Sequence, residues 1–290
     1  MNDEIILPRH VVIVANLHRD YVAEVADEVI KYLNSKSIKN SLIKTKKNFE
    51  QLTLPPNTDL LISLGGDGTV LYCVRYIKDL GIPILPVNMG TFGYITEVGV
   101  SEWKETLESY LSAGVKHKIT RRLTIKSSVI RNENRVFHGS ALNELVVSCW
   151  GINKVINLGV YIDNTYVGKF RADGVIVSTP TGSTGYSLAA GGPIVDPTLA
   201  SLIITPICPF ALSNRPIVVS SNSKITIKIL EGQRTGIMVT LDGQVNYNLI
   251  EGDGIEIVSS RSNALLLTST NRNGFDIIRD KLNWSGESRC

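Results

Sequence analysis

Apolar residues follow two different rhythms along the chain, and the change comes near residue 115. Ahead of it, short apolar runs alternate with stretches of helical spacing. Residues 10–15 form a β-branched run suited to a buried strand. Tyr21, Val22, Val25, Ala26, Val29, Ile30 and Leu33 then recur on one helix face. Residues 40–45 read as a second strand, and Pro55-Pro56-Asn57 breaks the chain. A third apolar run covers 60–64, a helical pattern covers 70–80, and a fourth strand covers 84–87. Ser101 is placed to cap a helix that runs to Ala113 and stops at Gly114. Alternation of this kind predicts an α/β domain with a doubly wound, mostly parallel sheet.

Beyond residue 115 the rhythm becomes that of strands. Ile225, Ile227 and Ile229 alternate with Thr226 and Lys228, and 155–162, 236–241, 254–259 and 264–269 read as further strands. Asn132-Glu133-Asn134 and Asp163-Asn164 supply turn chemistry between them. The series predicts an all-β, sandwich-like antiparallel domain. The last stretch, 275–282, sets Phe275, Ile278 and Leu282 on one helical face. The expected division is therefore an α/β domain over 1–115, a β-rich domain over 116–268, and a segment over 269–290 that packs back on the first domain.

Composition adds limits. The 290 residues allow two domains, each with its own core. Hydrophobic residues at 43% and charged residues at 20% are those of an ordinary globular protein. The net charge of +3 is slight and the basic residues are scattered; Lys44, Lys46 and Lys47 read as a solvated loop. No nucleic-acid partner is expected. Cys73, Cys149, Cys208 and Cys290 lack the spacing of a disulfide framework or a zinc site, so no metal-ligand set is assigned. The N-terminus lacks signal-peptide order, and no apolar run approaches the ~20 residues that span a bilayer. A cytoplasmic, membrane-free protein is expected.

The densest candidate chemistry starts where the 60–64 run ends, in Gly65-Gly66-Asp67-Gly68-Thr69. Ligands of open α/β sheets bind beyond the carboxyl ends of strands. Glycines let backbone N–H groups approach phosphate, and a helix start favours negative charge. Asp67 in that setting can take a proton from a hydroxyl or hold Mg²⁺ beside a phosphate. The plainer alternative is a tight strand-to-helix turn capped by Asp67. The loop is neither a P-loop nor the Gly-x-Gly-x-x-Gly dinucleotide fingerprint.

Two further stretches stand out. Asn143-Glu144 lies within the largely apolar run 142–147, where a carboxylate either pairs internally or faces a ligand; the alternative is an exposed strand position. Arg171-Ala172-Asp173-Gly174 leads into 175–178 and then Thr179-Pro180-Thr181-Gly182-Ser183-Thr184-Gly185-Tyr186-Ser187, with Gly191-Gly192-Pro193 beyond. Dense hydroxyls, open amides and an aromatic ring at Tyr186 suit a planar polar ligand with sugar hydroxyls; the alternative is an irregular loop.

These motifs together resemble the NAD kinases over nearly the whole chain. Gly65–Thr69 is similar to the family's first signature, and Asn88-Met89-Gly90-Thr91-Phe92-Gly93-Tyr94 to its next segment. Asn143-Glu144, the stretch 173–195, Leu212-Ser213-Asn214-Arg215-Pro216 and Asp242-Gly243-Gln244 follow in the family's order. The resemblance implies an active site in the cleft between the two domains. It implies transfer of the γ-phosphoryl of ATP, or of polyphosphate, to the 2′-hydroxyl of NAD's adenosine ribose, with Mg²⁺ accompanying the donor. Asp67 would be the general base and Gly68 a backbone contact. Asn143 and Glu144 would hold adenine and its ribose. Thr184, Gly185, Tyr186, Ser187, Leu188 and Ala189 would line the adenosine pocket. Arg171 and Asp173 would lie near the other half of the dinucleotide, with Lys154 and Gln244 as further contacts. A homo-oligomer, often a tetramer, is implied as well. Two positions depart from the family pattern: Phe210 stands where His is usual, and Gly185 where Ala is usual. A lipid kinase sharing the glycine loop, and a silent NAD(P) sensor, are the alternatives.

Overall fold

The computed structural model describes residues 8–17, 20–45, 52–90, 93–113, 119–151 and 154–269, together with 276, 278 and 279. The chain forms two compact units, Met1–Arg121 with Ala264–Cys290, and Arg122–Asn263.

The first unit is built on strands β1 (His10–Asn16), β2 (Lys39–Thr45), β3 (Leu60–Gly65), β4 (Pro83–Asn88), the short β5 (Val98–Gly99), β6 (Ile119–Arg122) and the chain's last strand, β19 (Ala264–Leu267). Their order is β2-β1-β3-β4-β19-β6, with β5 against β4. The pairings of β1 with β2 and β3, and of β4 with β3, β5 and β19, are parallel. Every residue of β3 and β4 is buried, as expected of strands covered on both faces. Helices α1 (Asp20–Ser35), α2 (Asp67–Ile77) and α3 (Trp103–Ala113) connect them. Val22, Val25, Ala26, Val29 and Leu33 of α1 share one core with Trp103, Leu107 and Leu111 of α3 and with side chains of β1, β3 and β4.

Two details differ from the sequence pattern. Helix α2 begins at Asp67, three residues earlier than its apolar face announces, so the carboxylate belongs to the helix itself. Residues 264–267, expected among the strands of the β-rich domain, pair in parallel with β4. The run Ala264-Leu265-Leu266-Leu267 has no two-residue alternation, which is the mark of a strand covered on both faces. Gly114 and most of the helix expected over 275–282 lie outside the described residues; Asp276, Ile278 and Arg279 are helical.

The second unit contains β7 (Ile125–Arg131), β8 (Asn134–Ala141), β9 (Glu144–Cys149), β10 (Ile156–Ile162), β11 (Thr165–Ala172), β12 (Gly174–Ser178), β13 (Ser201–Ile207), β14 (Ile217–Ser220), β15 (Ile225–Ile229), β16 (Ile237–Leu241), β17 (Val245–Leu249) and β18 (Gly254–Ser259). They form two six-stranded sheets, ordered β11-β10-β15-β18-β7-β8 and β14-β13-β12-β9-β16-β17. Inward residues of both sheets, among them Ile225, Ile227, Ile229, Val175, Val177 and Val239, make one core. Asn132-Glu133 and Asp163-Asn164 close two-residue hairpins with positive φ at both positions, a conformation Asn and Asp tolerate well. The second sheet is covered on its other face as well: Val146, Ile176 and Ile207 pack with Ala190. That contact seats the hydroxyl-rich segment, a 3₁₀ turn (Thr181–Thr184) and the short helix α4 (Tyr186–Ala189), against β9 and β12.

Helix α1 ends with Ser37 at φ 57°, and the Ile38 N–H reaches back to the Leu33 carbonyl at 3.0 Å. This closing motif favours glycine at the left-handed position. Ser37→Gly should stabilise the protein by about 0.5–1 kcal/mol. A urea midpoint that rises without a change in slope would bear this out.

Candidate functional site

In the first unit, β3 delivers the chain to the glycine loop. A Cβ on Gly65 would lie 2.1 Å from Thr69 Oγ1, so this position demands glycine. The Thr69 N–H bonds the Gly66 carbonyl at 2.9 Å and starts the helical turn. Asp67 then points at the chain segment after β4. Its Oδ1 accepts from Ile95 N–H (3.2 Å), Thr96 N–H (3.0 Å) and the Thr96 hydroxyl (2.9 Å). Its Oδ2 accepts from Tyr94 N–H at 2.8 Å. A Cβ on Gly93 would lie 1.7 Å from Asp67 Oδ1, so glycine is needed there too. Asn88, at the end of β4, holds the same segment: its Nδ2 donates to Thr96 Oγ1 at 3.0 Å, and its Oδ1 accepts from Gly90 N–H at 2.8 Å. The first two signatures are thus one hydrogen-bonded piece. Oδ2, with fewer donors than Oδ1, is the oxygen with capacity for another. Gly68 is exposed in the first turn of α2. Thr91 and Phe92 lie outside the described residues.

In the second unit, Asn143 and Glu144 enter β9 on a turn whose amides are captured by one side chain. Asp242 Oδ2 accepts from Leu142 N–H (2.8 Å), and Oδ1 accepts from Asn143 N–H (2.8 Å) and Glu144 N–H (3.1 Å). Asp242 in turn donates its own N–H to the Glu144 carbonyl at 3.0 Å. Thr179 ties the hydroxyl-rich segment to this turn. Its hydroxyl donates to the Leu142 carbonyl (2.6 Å) and accepts from Gly182 N–H (3.1 Å), while its N–H bonds the Asn143 carbonyl (2.8 Å). A Cβ on Gly182 would stand 2.2 Å from that same carbonyl oxygen. Gly185 lies beside the pair, and the methyl of an alanine would come within 3.0 Å of Glu144 Oε2.

What this scaffold leaves open is informative. Asn143 Oδ1 and Glu144 Oε2 are buried and have no hydrogen-bond partner. Buried polar atoms are seldom left so, which marks both as places for ligand donors. Glu144 is 8% exposed, and its carboxyl is pushed up to about 7, first by burial and then by the nearby Asp242 charge; the Tyr186 N–H works in the opposite direction.

The sequence-expected residues sort into two groups along β9. At its start stand Asn143, Glu144, Gly185 and Tyr186, whose ring is about half exposed. The Ser187 hydroxyl is buried and bonded to Thr205 Oγ1 at 2.9 Å, so it serves the fold. Thr184 Oγ1 donates to the Thr181 carbonyl at 3.2 Å, Leu188 is half-buried and Ala189 exposed. Gln244 closes the turn that carries Asp242, its N–H on the Leu241 carbonyl at 2.9 Å. At the far end of β9, Asp173 and Lys154 both act on the Cys149 thiol, Asp173 raising and Lys154 lowering its pKa beneath the larger effect of burial. The Arg171 guanidinium lies 4.9 Å from the Phe210 ring centre, a cation–π contact, and the Phe210 N–H bonds the Arg171 carbonyl at 2.8 Å. The ends of β9 are about 17 Å apart at ~3.4 Å per residue. Sequence reasoning named Asp242 as part of a motif and missed its role as the amide acceptor.

A parallel sheet that delivers a glycine-flanked carboxylate, joined in sequence to a β unit with unfilled acceptors beside a hydroxyl-rich turn, defines a nucleotide-dependent phosphotransferase. Comparison with known proteins makes this particular. Residues 36–115 match the ATP-NAD kinase N-terminal domain, and 142–269 the ATP-NAD kinase C-terminal domain. An NAD kinase of Treponema denticola is 40% identical over 97% of this chain and 98% of its own length. One from Geotalea daltonii is 35% identical over 95% and 99%. Among solved structures, yeast NADH kinase complexed with NADH superposes with a TM-score of 0.83 at 27% identity, covering 97% of this chain and 90% of that one. An NAD kinase from Archaeoglobus fulgidus in complex with ATP gives 0.76 at 26%, covering 94% and 98%. The chain belongs to the NAD kinase family.

The raised Glu144 carboxyl has a cost to folding. Between the unfolded value, 4.5, and the folded value, about 7, the native state holds the proton that the unfolded chain releases, so stability falls as pH rises through this window. Glu144→Gln should leave stability at pH 4 unchanged and raise it at pH 7.5 by about 1–3 kcal/mol. Denaturation midpoints at the two pH values check this.

Proposed function

We propose that this chain transfers the γ-phosphoryl of ATP to the 2′-hydroxyl of the adenosine ribose of NAD, giving NADP. The observation that carries the reading is the state of the Asp67 carboxylate: three donors fix Oδ1, and Oδ2 keeps room for a hydroxyl. Asp67 Oδ2 takes the 2′-hydroxyl proton as that oxygen bonds to the γ-phosphorus. The bond from phosphorus to the β,γ-bridging oxygen breaks, and ADP leaves. A positioned base of this kind contributes roughly 10²–10⁴-fold, and positioning supplies much of the remainder.

In the same reading the Gly68 backbone approaches the ligand. Asn143 Oδ1 accepts from the adenine amine, and Glu144 accepts from ribose hydroxyls. Residues 184–189 line the adenosine pocket, Gly185 giving close approach and Tyr186 its ring face. Lys154, Arg171 and Asp173 hold the other half of NAD, with Gln244 as a further contact. Separation along β9 supports a two-headed ligand. A divalent ion, Mg²⁺, accompanies the donor phosphates. Among the described residues no three His, Cys, Asp or Glu side chains stand together as a metal site. Polyphosphate is a second donor to test. A cytoplasmic homo-oligomer, a tetramer in the family resemblance, belongs to this proposal; among the described residues no helix is long and apolar enough to cross a membrane.

Purified chain incubated with NAD, ATP and Mg²⁺ should form NADP, and should leave diacylglycerol unphosphorylated. Tight NAD binding without product would favour a sensor. Asp67→Asn should cut turnover by roughly 10²–10⁴-fold with NAD affinity retained within a few-fold. Full activity in that variant would remove Asp67 from the role.

A further inference from the structure

We propose that Asp242 is a positioning residue whose clamp on the turn at 142–144 aims Asn143 Oδ1 and Glu144 Oε2 at the nucleoside, and ties nucleoside binding to release of a proton from the Glu144 carboxyl. The inference rests on the reading that this group holds the adenosine of NAD.

The clamp comes first. A turn entering a buried strand exposes successive N–H groups that the sheet does not satisfy, and a buried N–H left unpaired is costly. Asp242 accepts three of them, at 2.8, 2.8 and 3.1 Å. It comes from the turn after β16, 98 to 100 residues away in sequence, and is itself only 8% exposed. Asp242 and Gly243 both have positive φ, which curls this turn under the start of β9. With their backbone held, the Asn143 and Glu144 side chains have little freedom, and an oxygen of each is left without a partner. Side chains locked by such support bind without a large ordering cost.

The proton follows from the same geometry. Two carboxyl groups share the start of β9. Asp242 has three amide donors that favour its charge, whereas Glu144 Oε2 has none. The one of the pair that holds a proton is therefore Glu144. The groups that act on it are burial, Asp242 from the β16–β17 turn, and the Tyr186 N–H from α4; Asn143 and Gly185 beside it are uncharged. A nucleoside brings hydroxyl and amine donors. These favour the ionised carboxyl, so binding expels the proton to solvent, and affinity for NAD weakens as pH falls below about 7.

The test is titration calorimetry of NAD into the full chain at pH 6.5, in buffers of different ionisation enthalpy. Wild type should release roughly half a proton per site or more. Glu144→Gln should release close to none, with a dissociation constant that no longer depends on pH between 6 and 8. Asp242→Asn, which tolerates the left-handed turn, should bind NAD roughly 10- to 100-fold more weakly and release fewer protons at pH 6.5. If wild-type binding moves no proton, the coupling is overturned, and this holds even if Asp242→Asn cannot be folded. If Asp242→Asn binds and releases protons as wild type does, the positioning role is overturned. If Asn143→Ala and Glu144→Gln both bind NAD like wild type, the failure belongs to the parent reading of the site.

Discussion

Both candidate groups depend on one kind of interaction: a carboxylate that gathers backbone amides from a distant turn. Asp67 holds 94–96, and Asp242 holds 142–144. Hydrogen bonds to an ionised acceptor are about twice as strong as neutral ones, and breaking one partner leaves buried amides unsatisfied. Irregular backbone near a ligand is thereby made as definite as a strand. The surrounding glycines follow from the same constraint. At Gly93 a side chain would occupy the place of the Asp67 carboxylate, and at Gly182 that of the Asn143 carbonyl.

The two carboxylates differ in their exposure. Asp67 sits half-buried at a helix start with capacity left on Oδ2, so it can serve both loop and chemistry. Asp242 is buried, holds three amides and acts through the residues that carry them. Phosphoryl transfer asks for placement of reacting groups and favourable charge more than for covalent chemistry. A site whose supports are fixed before ligand arrives meets that demand, and in the β unit it does so at the expense of stability, because Glu144 and its orphaned oxygen are buried to await a ligand.

Much of this was legible in the sequence, for physical reasons. Strands β1, β3 and β4 are continuous apolar runs because both their faces are covered, and the two hairpin turns announce themselves through Asn and Asp. Strand β19 was assigned to the wrong sheet because four apolar residues carry no period. Strand β8 lies at a sheet edge and is largely exposed, so it has little pattern to read. In the site, glycines and hydroxyls marked the right segments but overstated ligand contact. Ser183 accepts from Val195 N–H at 3.0 Å and donates to the Pro180 carbonyl at 2.6 Å, and Ser187 is spent on Thr205. The Asp242 clamp was invisible, since it joins backbone amides to a side chain about a hundred positions away and leaves no trace in local spacing.

The most direct measurement is amide hydrogen exchange, resolved by residue, in the free protein and in two variants. Amides of 94–96 and of 142–144 should be protected in wild type, although most lie outside regular strands. Asp67→Asn should speed exchange at 94–96 alone, and Asp242→Asn at 142–144 alone. Rates at these amides that match exposed loops in wild type, or that do not respond to either substitution, would contradict the account in which each carboxylate orders its own turn before ligand arrives.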